Sequence, residues 1–112
     1  MAKKVLTGHK GFIGSHYYNY VKDTYDVHPY DQKDGDDKNL RYSSVTSTMP
    51  DCDIVVHLAA TNGTRLFYQN PTDVCINNTL PTINLIERYR NTNTKFVFAS
   101  TCEMFNSTID NG

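Results

Sequence analysis

A run of glycines near the start of the chain has the spacing that can hold a phosphate. It reads Thr7-Gly8-His9-Lys10-Gly11-Phe12-Ile13-Gly14 and lies between a short apolar segment and a helical pattern. Gly8 would allow a tight turn, Gly11 would let backbone come close to a pyrophosphate, and Gly14 would let the helix pack closely on the strand. The N-terminus of the helix supplies free N–H groups and a partial positive charge. In this context the run predicts a dinucleotide site rather than an ordinary strand–turn–helix junction.

A carboxylate follows the next apolar segment. Asp31 ends Tyr25–Asp31, the second predicted strand. A carboxylate in that place accepts hydrogen bonds from an adenosine ribose and repels a 2′-phosphate, so it favours NAD over NADP. Lys33 is close enough in the chain to weaken that preference. The other interpretation of Asp31 is a surface residue of a turn.

The elements that must position these residues alternate between strand and helix. Strands are predicted at Lys3–Thr7, Tyr25–Asp31, Asp53–Ala60 and Lys95–Ser100, and helices at Phe12–Lys22 and Pro71–Arg90. Residues 32–53 are predicted to be mostly loop, with one short strand or helix. Such alternation implies a parallel sheet with right-handed crossovers. We therefore expect an α/β fold, a partial Rossmann fold with a parallel sheet of four to five strands and flanking helices.

Composition limits the class of protein. The chain has 112 residues, 12.8 kDa, with 11 basic and 12 acidic side chains. This is the size of one small domain, and a net charge of −1 argues against nucleic-acid and membrane-surface partners. No apolar run approaches the roughly 18 residues of a membrane span. The three cysteines, Cys52, Cys75 and Cys102, form no C-x-x-C pair, which favours reduced thiols in the cytoplasm over disulfides or zinc. His9 and His57 are expected to be a loop and a strand-end histidine, not metal ligands.

Five motifs, taken in order, resemble one known family. They are Thr-Gly-x-x-Gly-Phe-Ile-Gly-Ser-His (7–16), Asp31, His-Leu-Ala-Ala (57–60), Asn78 and Ala-Ser-Thr-Cys-Glu (99–103). Together they resemble the extended short-chain dehydrogenase/reductase family, and within it the NAD-dependent nucleotide-sugar epimerases and dehydratases. The resemblance covers essentially the whole chain but only the first part of the family's length. We therefore expect residues 1–112 to be a single NAD-binding domain without the substrate domain.

The resemblance implies roles for individual residues. The backbone of Ala59 and Ala60 would pass beside the ribose and pyrophosphate of the cofactor, and Asn78 would lie in a helix that flanks it. The implied NAD-binding set is Gly8, Gly11, Phe12, Ile13, Gly14, Asp31, Leu58, Ala59, Ala60 and Asn78. Asn39 stands where the family uses an Asp near the adenine, and Pro81 replaces a helix glycine.

Two further residues take catalytic roles from the resemblance. Thr101 occupies the place of the catalytic Ser/Thr, whose hydroxyl binds the reacting oxygen of the sugar while hydride goes to NAD. Ser100–Phe105 is most similar to the 4,6-dehydratases, which would make Glu103 the acid/base of water elimination. The alternative for Glu103 is a solvated loop carboxylate.

The family's base is a Tyr in a Tyr-x-x-x-Lys pair beyond Thr101, and the 112 residues end before it. Tyr18 and Lys22 have that spacing but lie in the first helix, so we treat the match as chance. We therefore expect NAD binding without catalysis by this chain alone, and a nucleotide sugar as ligand only if another chain completes the site. The alternatives are a non-catalytic module that binds a nucleotide or a partner, and half of a split enzyme. The strand at Lys95–Ser100 would be an open edge, so we expect a homo-oligomer or association with another chain there.

Overall fold

The computed structural model describes residues 1–61 and 64–99. Its strands are β1 (Lys3–Thr7), β2 (Asp26–Tyr30), β3 (Ile54–His57) and β4 (Lys95–Phe98). Its α-helices are α1 (Phe12–Val21), α2 (Ser43–Thr46), α3 (Thr64–Gln69) and α4 (Pro71–Tyr89). Two single-turn 3₁₀ helices, Gln32–Asp34 and Asp36–Lys38, lie between β2 and α2.

The four strands form one parallel sheet in the order β2-β1-β3-β4. The central strands β1 and β3 are the most buried, as expected for the middle of a sheet that is covered on both faces. This confirms the predicted partial Rossmann fold with four strands. The prediction allowed a fifth strand within residues 32–53, and that part of it is wrong. The regular elements in this segment are α2 and the two 3₁₀ helices.

The helices cover opposite faces of the sheet. Val5 and Val55 are paired across β1 and β3, and they pack with Leu85 and Tyr89 of α4 in the main core. Lys4 points to the other face, because successive strand residues alternate. There its ammonium group donates a 2.9 Å hydrogen bond to the Tyr17 hydroxyl of α1. Thus α1 covers one face of the sheet and α4 covers the other.

The segment between β2 and β3 is fixed to α4 rather than free in solvent. Asn84 donates to the carbonyl oxygens of Leu40 (2.8 Å) and Arg41 (3.2 Å). The Arg88 guanidinium donates to the carbonyl of Met49. These bonds bring residues 39–41 to the same edge of the sheet as the glycine run.

Pro29 belongs to β2, which is an outer strand and pairs only with β1. Its missing N–H therefore removes no bond from the middle of the sheet.

The strand β4 is the other outer strand of the described sheet. Val97 and Phe98 on it are 44% and 56% exposed, so association through this edge stays a prediction. Within residues 1–61 and 64–99, no helix combines the length and apolar character needed to cross a membrane.

Candidate dinucleotide-binding site

A cleft of about 130 Å³ opens at the carboxyl ends of β1, β2 and β3. Its walls come from the turns that follow these strands, from residues 38–41 and from one side of α4. Six of the predicted cofactor residues line it, namely Gly8, Gly11, Asp31, Leu58, Ala59 and Ala60. Gly14, Phe12, Ile13 and Asn78 are not part of its lining. Thr101 and Glu103 lie outside the described residues.

Two of the three glycines are required by packing. Gly8 has a φ of +77°, and a Cβ on it would lie 2.7 Å from the backbone nitrogen of Ala59. A Cβ on Gly14 would lie 1.9 Å from the carbonyl oxygen of Gly8. Gly8 therefore permits the turn to pack against the end of β3, and Gly14 permits α1 to start directly on that turn.

Gly11 is different, because the fold does not require a glycine there. It precedes α1 with φ −79° and ψ 176°, which any residue adopts. A Cβ on it would meet only the Gly8 carbonyl oxygen, at an ordinary contact distance of 3.4 Å. Gly11 is exposed and lines the cleft, so its backbone is open to the cleft.

The N-terminus of α1 presents backbone rather than side chains to a ligand. The first turn of any helix has N–H groups without partners inside the helix. No side chain caps α1 in the described structure. Phe12 and Ile13 are 83% and 67% exposed, and the Phe12 ring packs against His16 with centroids 5.0 Å apart. If these two residues bind a phosphate, they do so through their N–H groups.

Asp31 is buried beside the glycine turn and is already a hydrogen-bond acceptor within the chain. Its Oδ1 accepts from the backbone N–H of Lys33 (2.9 Å), and its Oδ2 accepts from that of Lys10 (3.1 Å). Each carboxylate oxygen has two acceptor positions, so one on each remains for a ligand hydroxyl. The two bonds hold the carboxylate rigidly at the edge of the cleft.

The acidic stretch after Asp31 also contacts the glycine run. Asp34 pairs with the Lys10 ammonium group and, at 3.1 Å, with Nε2 of His9. Hydrogen bonding to Lys10 lowers the pKa of Asp34, and the same bond raises the pKa of Lys10. No pattern in the sequence places Asp34 against the turn rather than in solvent.

Three cationic side chains line the cleft near Asp31. They are Lys33, Lys38 and Arg41. The ammonium group of Lys38 lies 4.5 Å from the centre of the Tyr30 ring, which is also part of the wall. This side of the cleft therefore combines one carboxylate with several positive charges. The Asn39 side chain accepts from the backbone N–H of Arg41 at 3.0 Å and shapes this segment.

Two neighbouring asparagines of α4 have different roles. Asn78 accepts a hydrogen bond from the Thr61 N–H (2.6 Å) and donates one to the Thr61 carbonyl (3.0 Å). It therefore fixes the backbone that leaves the cleft wall. Asn77, which the sequence did not single out, lines the cleft itself. Its Oδ1 is buried and has no hydrogen-bond partner among the described residues.

His57 is a buried strand-end side chain between two threonine hydroxyls, Thr7 (2.7 Å) and Thr82 (2.9 Å). Burial lowers its pKa to about 4. The described residues hold no group of three side chains placed to bind a metal ion.

A sequence model of the NAD dependent epimerase/dehydratase family matches residues 5–110. The chain belongs to this family. The match confirms the family expected from the five motifs and includes every strand of the described sheet except the first residues of β1.

Several solved structures have a similar fold. A UDP-galactose 4-epimerase has 29% identity and a TM-score of 0.74 over 89% of this chain. The UDP-glucose 4-epimerase of Thermus thermophilus, solved with NAD, has 25% identity and a TM-score of 0.74 over 88%. The dTDP-4-dehydrorhamnose reductase of Bacillus anthracis, solved with NADP, has 18% identity and a TM-score of 0.73 over 85%.

This family member spans 38%, 37% and 34% of the lengths of those three proteins, respectively. A comparison with curated protein sequences finds no match.

Proposed function

We propose that this chain binds NAD(H) in the cleft and forms the cofactor-binding part of a nucleotide-sugar epimerase or dehydratase. NAD, when bound, supplies an acceptor and donor of hydride. The chain's own residues would bind and orient it. We also assign the protein to the cytoplasm, where its cysteines would stay reduced.

The observation that carries the proposal is the open space at Gly11. Gly8 and Gly14 are explained by internal contacts, whereas Gly11 has neither an unusual φ nor a close neighbour. A side chain there would meet no close neighbour within the chain and would lie at the wall of the cleft. Apart from the modest preference for glycine before a helix, close approach of a ligand to the backbone is the physical reason for a glycine at that position.

The residues around the cleft fit the parts of a dinucleotide. The N–H groups at the start of α1 suit the pyrophosphate, and the free acceptor positions of Asp31 suit a ribose diol. The buried, unpartnered Oδ1 of Asn77 needs a donor, and an amino group such as that of adenine supplies one. Ala59 and Ala60 leave room for the ligand because their side chains are small.

The charges around the cleft support a preference for NAD over NADP. Asp31 is held at the ribose position by two backbone N–H groups, so a 2′-phosphate would meet a carboxylate that cannot turn away. Lys33, Lys38 and Arg41 would attract the same phosphate. Because Asp31 lies nearest to the glycine turn, we expect NAD to bind more tightly, with NADP weakened rather than excluded.

Calorimetric titration of the 112-residue chain with NAD(H) and NADP(H) tests the proposal. We expect tighter binding of NAD(H) by the wild type, and a smaller difference between the cofactors in Asp31→Asn. Thermal melting of the variant controls for its structural bonds, and Lys33→Gln serves as a matched control that should weaken NADP(H) only. Equal or reversed wild-type affinities would remove Asp31 from its assigned role, and no binding of either cofactor would remove the proposal.

The nucleotide-sugar part of the proposal rests on the resemblance at residues 99–103 and on the family. In such an enzyme, the Thr101 hydroxyl would hold the reacting oxygen of the sugar, and Glu103 would act as acid/base in a dehydratase. Tyr18 and Lys22 are not part of the cleft lining, which supports treating their spacing as chance.

A further inference from the structure

A chain of buried hydrogen bonds runs beneath the cleft from β1 to α4. The Thr7 hydroxyl oxygen, which is fully buried, lies 3.0 Å from the backbone nitrogens of both Leu58 and Ala59. The same oxygen lies 2.7 Å from Nδ1 of His57. Leu58 and Ala59 form the wall of the cleft, and Ala59 packs directly on Gly8.

These three contacts determine where the protons lie. A hydroxyl group has one hydrogen to donate and two lone pairs to accept with. The lone pairs of the Thr7 hydroxyl face the N–H of Ala59 and the N–H of Leu58, which it shares with the Thr7 carbonyl oxygen at 3.3 Å, so the hydroxyl hydrogen is left to donate to His57. Nδ1 of His57 is therefore an acceptor, and a neutral imidazole then carries its hydrogen on Nε2. Burial, which lowers the pKa of His57 to about 4, keeps the ring neutral at ordinary pH.

The hydrogen on Nε2 connects His57 to α4. Nε2 donates to the Thr82 hydroxyl at 2.9 Å, and that hydroxyl donates to the Asn78 carbonyl at 3.4 Å. The Asn78 side chain, in turn, binds the N–H and the carbonyl of Thr61. One turn of α4 therefore holds both ends of the segment 57–61, which crosses the carboxyl end of β3.

We propose that His57 is a positioning residue that fixes the backbone of residues 58–61 against the glycine turn and so sets the shape of the cleft. It touches no ligand and acts through Thr7 and Thr82. Its effect on cofactor affinity rests on the proposed function, whereas its effect on the backbone does not.

The experiment combines two measurements on the 112-residue chain. Nitrogen-15 NMR of the wild-type imidazole reports which nitrogen carries hydrogen, and amide signals report the backbone of residues 58–61. Titration with NAD reports affinity at a temperature at which each variant is folded. His57→Leu removes both bonds, and His57→Asn keeps an amide oxygen to accept from Thr7. Thr82→Val cuts the connection at α4 and remains informative if His57→Leu does not fold. Val55→Ala removes buried volume from the same strand face without touching the hydrogen bonds.

We expect hydrogen on Nε2, shifted amide signals at 58–61 in His57→Leu and Thr82→Val, and an affinity for NAD lower by about fivefold to tenfold. His57→Asn should restore most of the affinity, and Val55→Ala should melt earlier yet bind normally. Hydrogen on Nδ1, or unchanged amide signals in the variants, would overturn the proposal. So would an affinity loss in Val55→Ala as large as in His57→Leu. If the wild type binds no NAD, the proposed function fails, and the imidazole and amide signals alone still decide the role of His57.

Discussion

One methyl group added at Gly14 or at Gly11 should separate stability from ligand affinity. At Gly14 the new Cβ would lie 1.9 Å from the Gly8 carbonyl oxygen, where real Cβ atoms essentially never come closer than 3.0 Å. The turn must therefore move by about 1.1 Å, the difference between these distances, which strains the bond from the Gly11 N–H to that carbonyl. At Gly11 the nearest atom is 3.4 Å away, so nothing has to move.

The expected magnitudes follow from these contacts. For Gly14→Ala, overpacking costs about 1–3 kcal/mol. Losing one hydrogen bond costs about 1 kcal/mol, and the better helix propensity of Ala returns about 1 kcal/mol. The free energy of unfolding should therefore fall by about 2 kcal/mol. For a domain of this size, that loss lowers the Tm by roughly 8 °C. Gly11→Ala should cost only about 0.5 kcal/mol, because Ala is a poorer residue than Gly before a helix. It should nevertheless weaken NAD binding by about tenfold or more, because its methyl group lies between backbone and pyrophosphate.

Urea denaturation followed by circular dichroism gives the free energies of unfolding, and calorimetric titration gives the affinities. Gly11→Val extends the series, since a larger side chain should lower the affinity further with little change in stability. The reasoning is refuted if Gly11→Ala unfolds as readily as Gly14→Ala while its folded fraction binds NAD like the wild type. Gly11 would then be a structural glycine, and the cleft would not be the phosphate site.

Three further outcomes are expected. Stability should rise with pH between about 4 and 6.5, because the unfolded chain holds a proton on His57 that the folded chain, with a pKa of about 4, does not. The gain in the free energy of unfolding is at most about 3 kcal/mol. If the urea midpoint of the wild type changes with pH no more than that of His57→Asn, this prediction is contradicted. Asn78→Ala should weaken NAD binding severalfold with little loss of stability, because the substitution removes both hydrogen bonds to the exposed backbone of Thr61. An unchanged affinity in calorimetric titration would argue against this role of Asn78. The 112-residue chain alone should turn over no nucleotide sugar, and turnover that Thr101→Val abolishes would show the opposite.

The strands and the glycine run could be predicted from the sequence because local signals determine them. Short β-branched runs such as the one ending at His57 are typical of a strand that is covered on both faces. The glycine spacing fixes a strand–turn–helix junction, and the packing of Gly8 and Gly14 shows why.

The remaining features depend on contacts between distant parts of the chain. Asn77 and Asn78 are adjacent residues of one helix, and only the packing of that helix decides that Asn77 faces the cleft. The loop that carries Leu40 is ordered by Asn84, which is far away in sequence. The acceptor bonds of Asp31 likewise come from backbone N–H groups whose position no local pattern specifies. The short helix α3 is mostly exposed and shows no clear apolar period, which explains why the sequence did not predict it.

The order of the strands has a consequence for how the molecule folds. The central strand β1 pairs with β3, and Thr7 faces His57 across 50 positions of sequence. Such non-local parallel pairing is slow to form, because a long loop must close before any contact stabilises it. During synthesis, β1 and β2 can meet early, but the glycine turn has no Ala59 to pack against until the chain has passed that residue. Ligand-binding competence should therefore appear late in folding, and only when β3 has joined the first two strands.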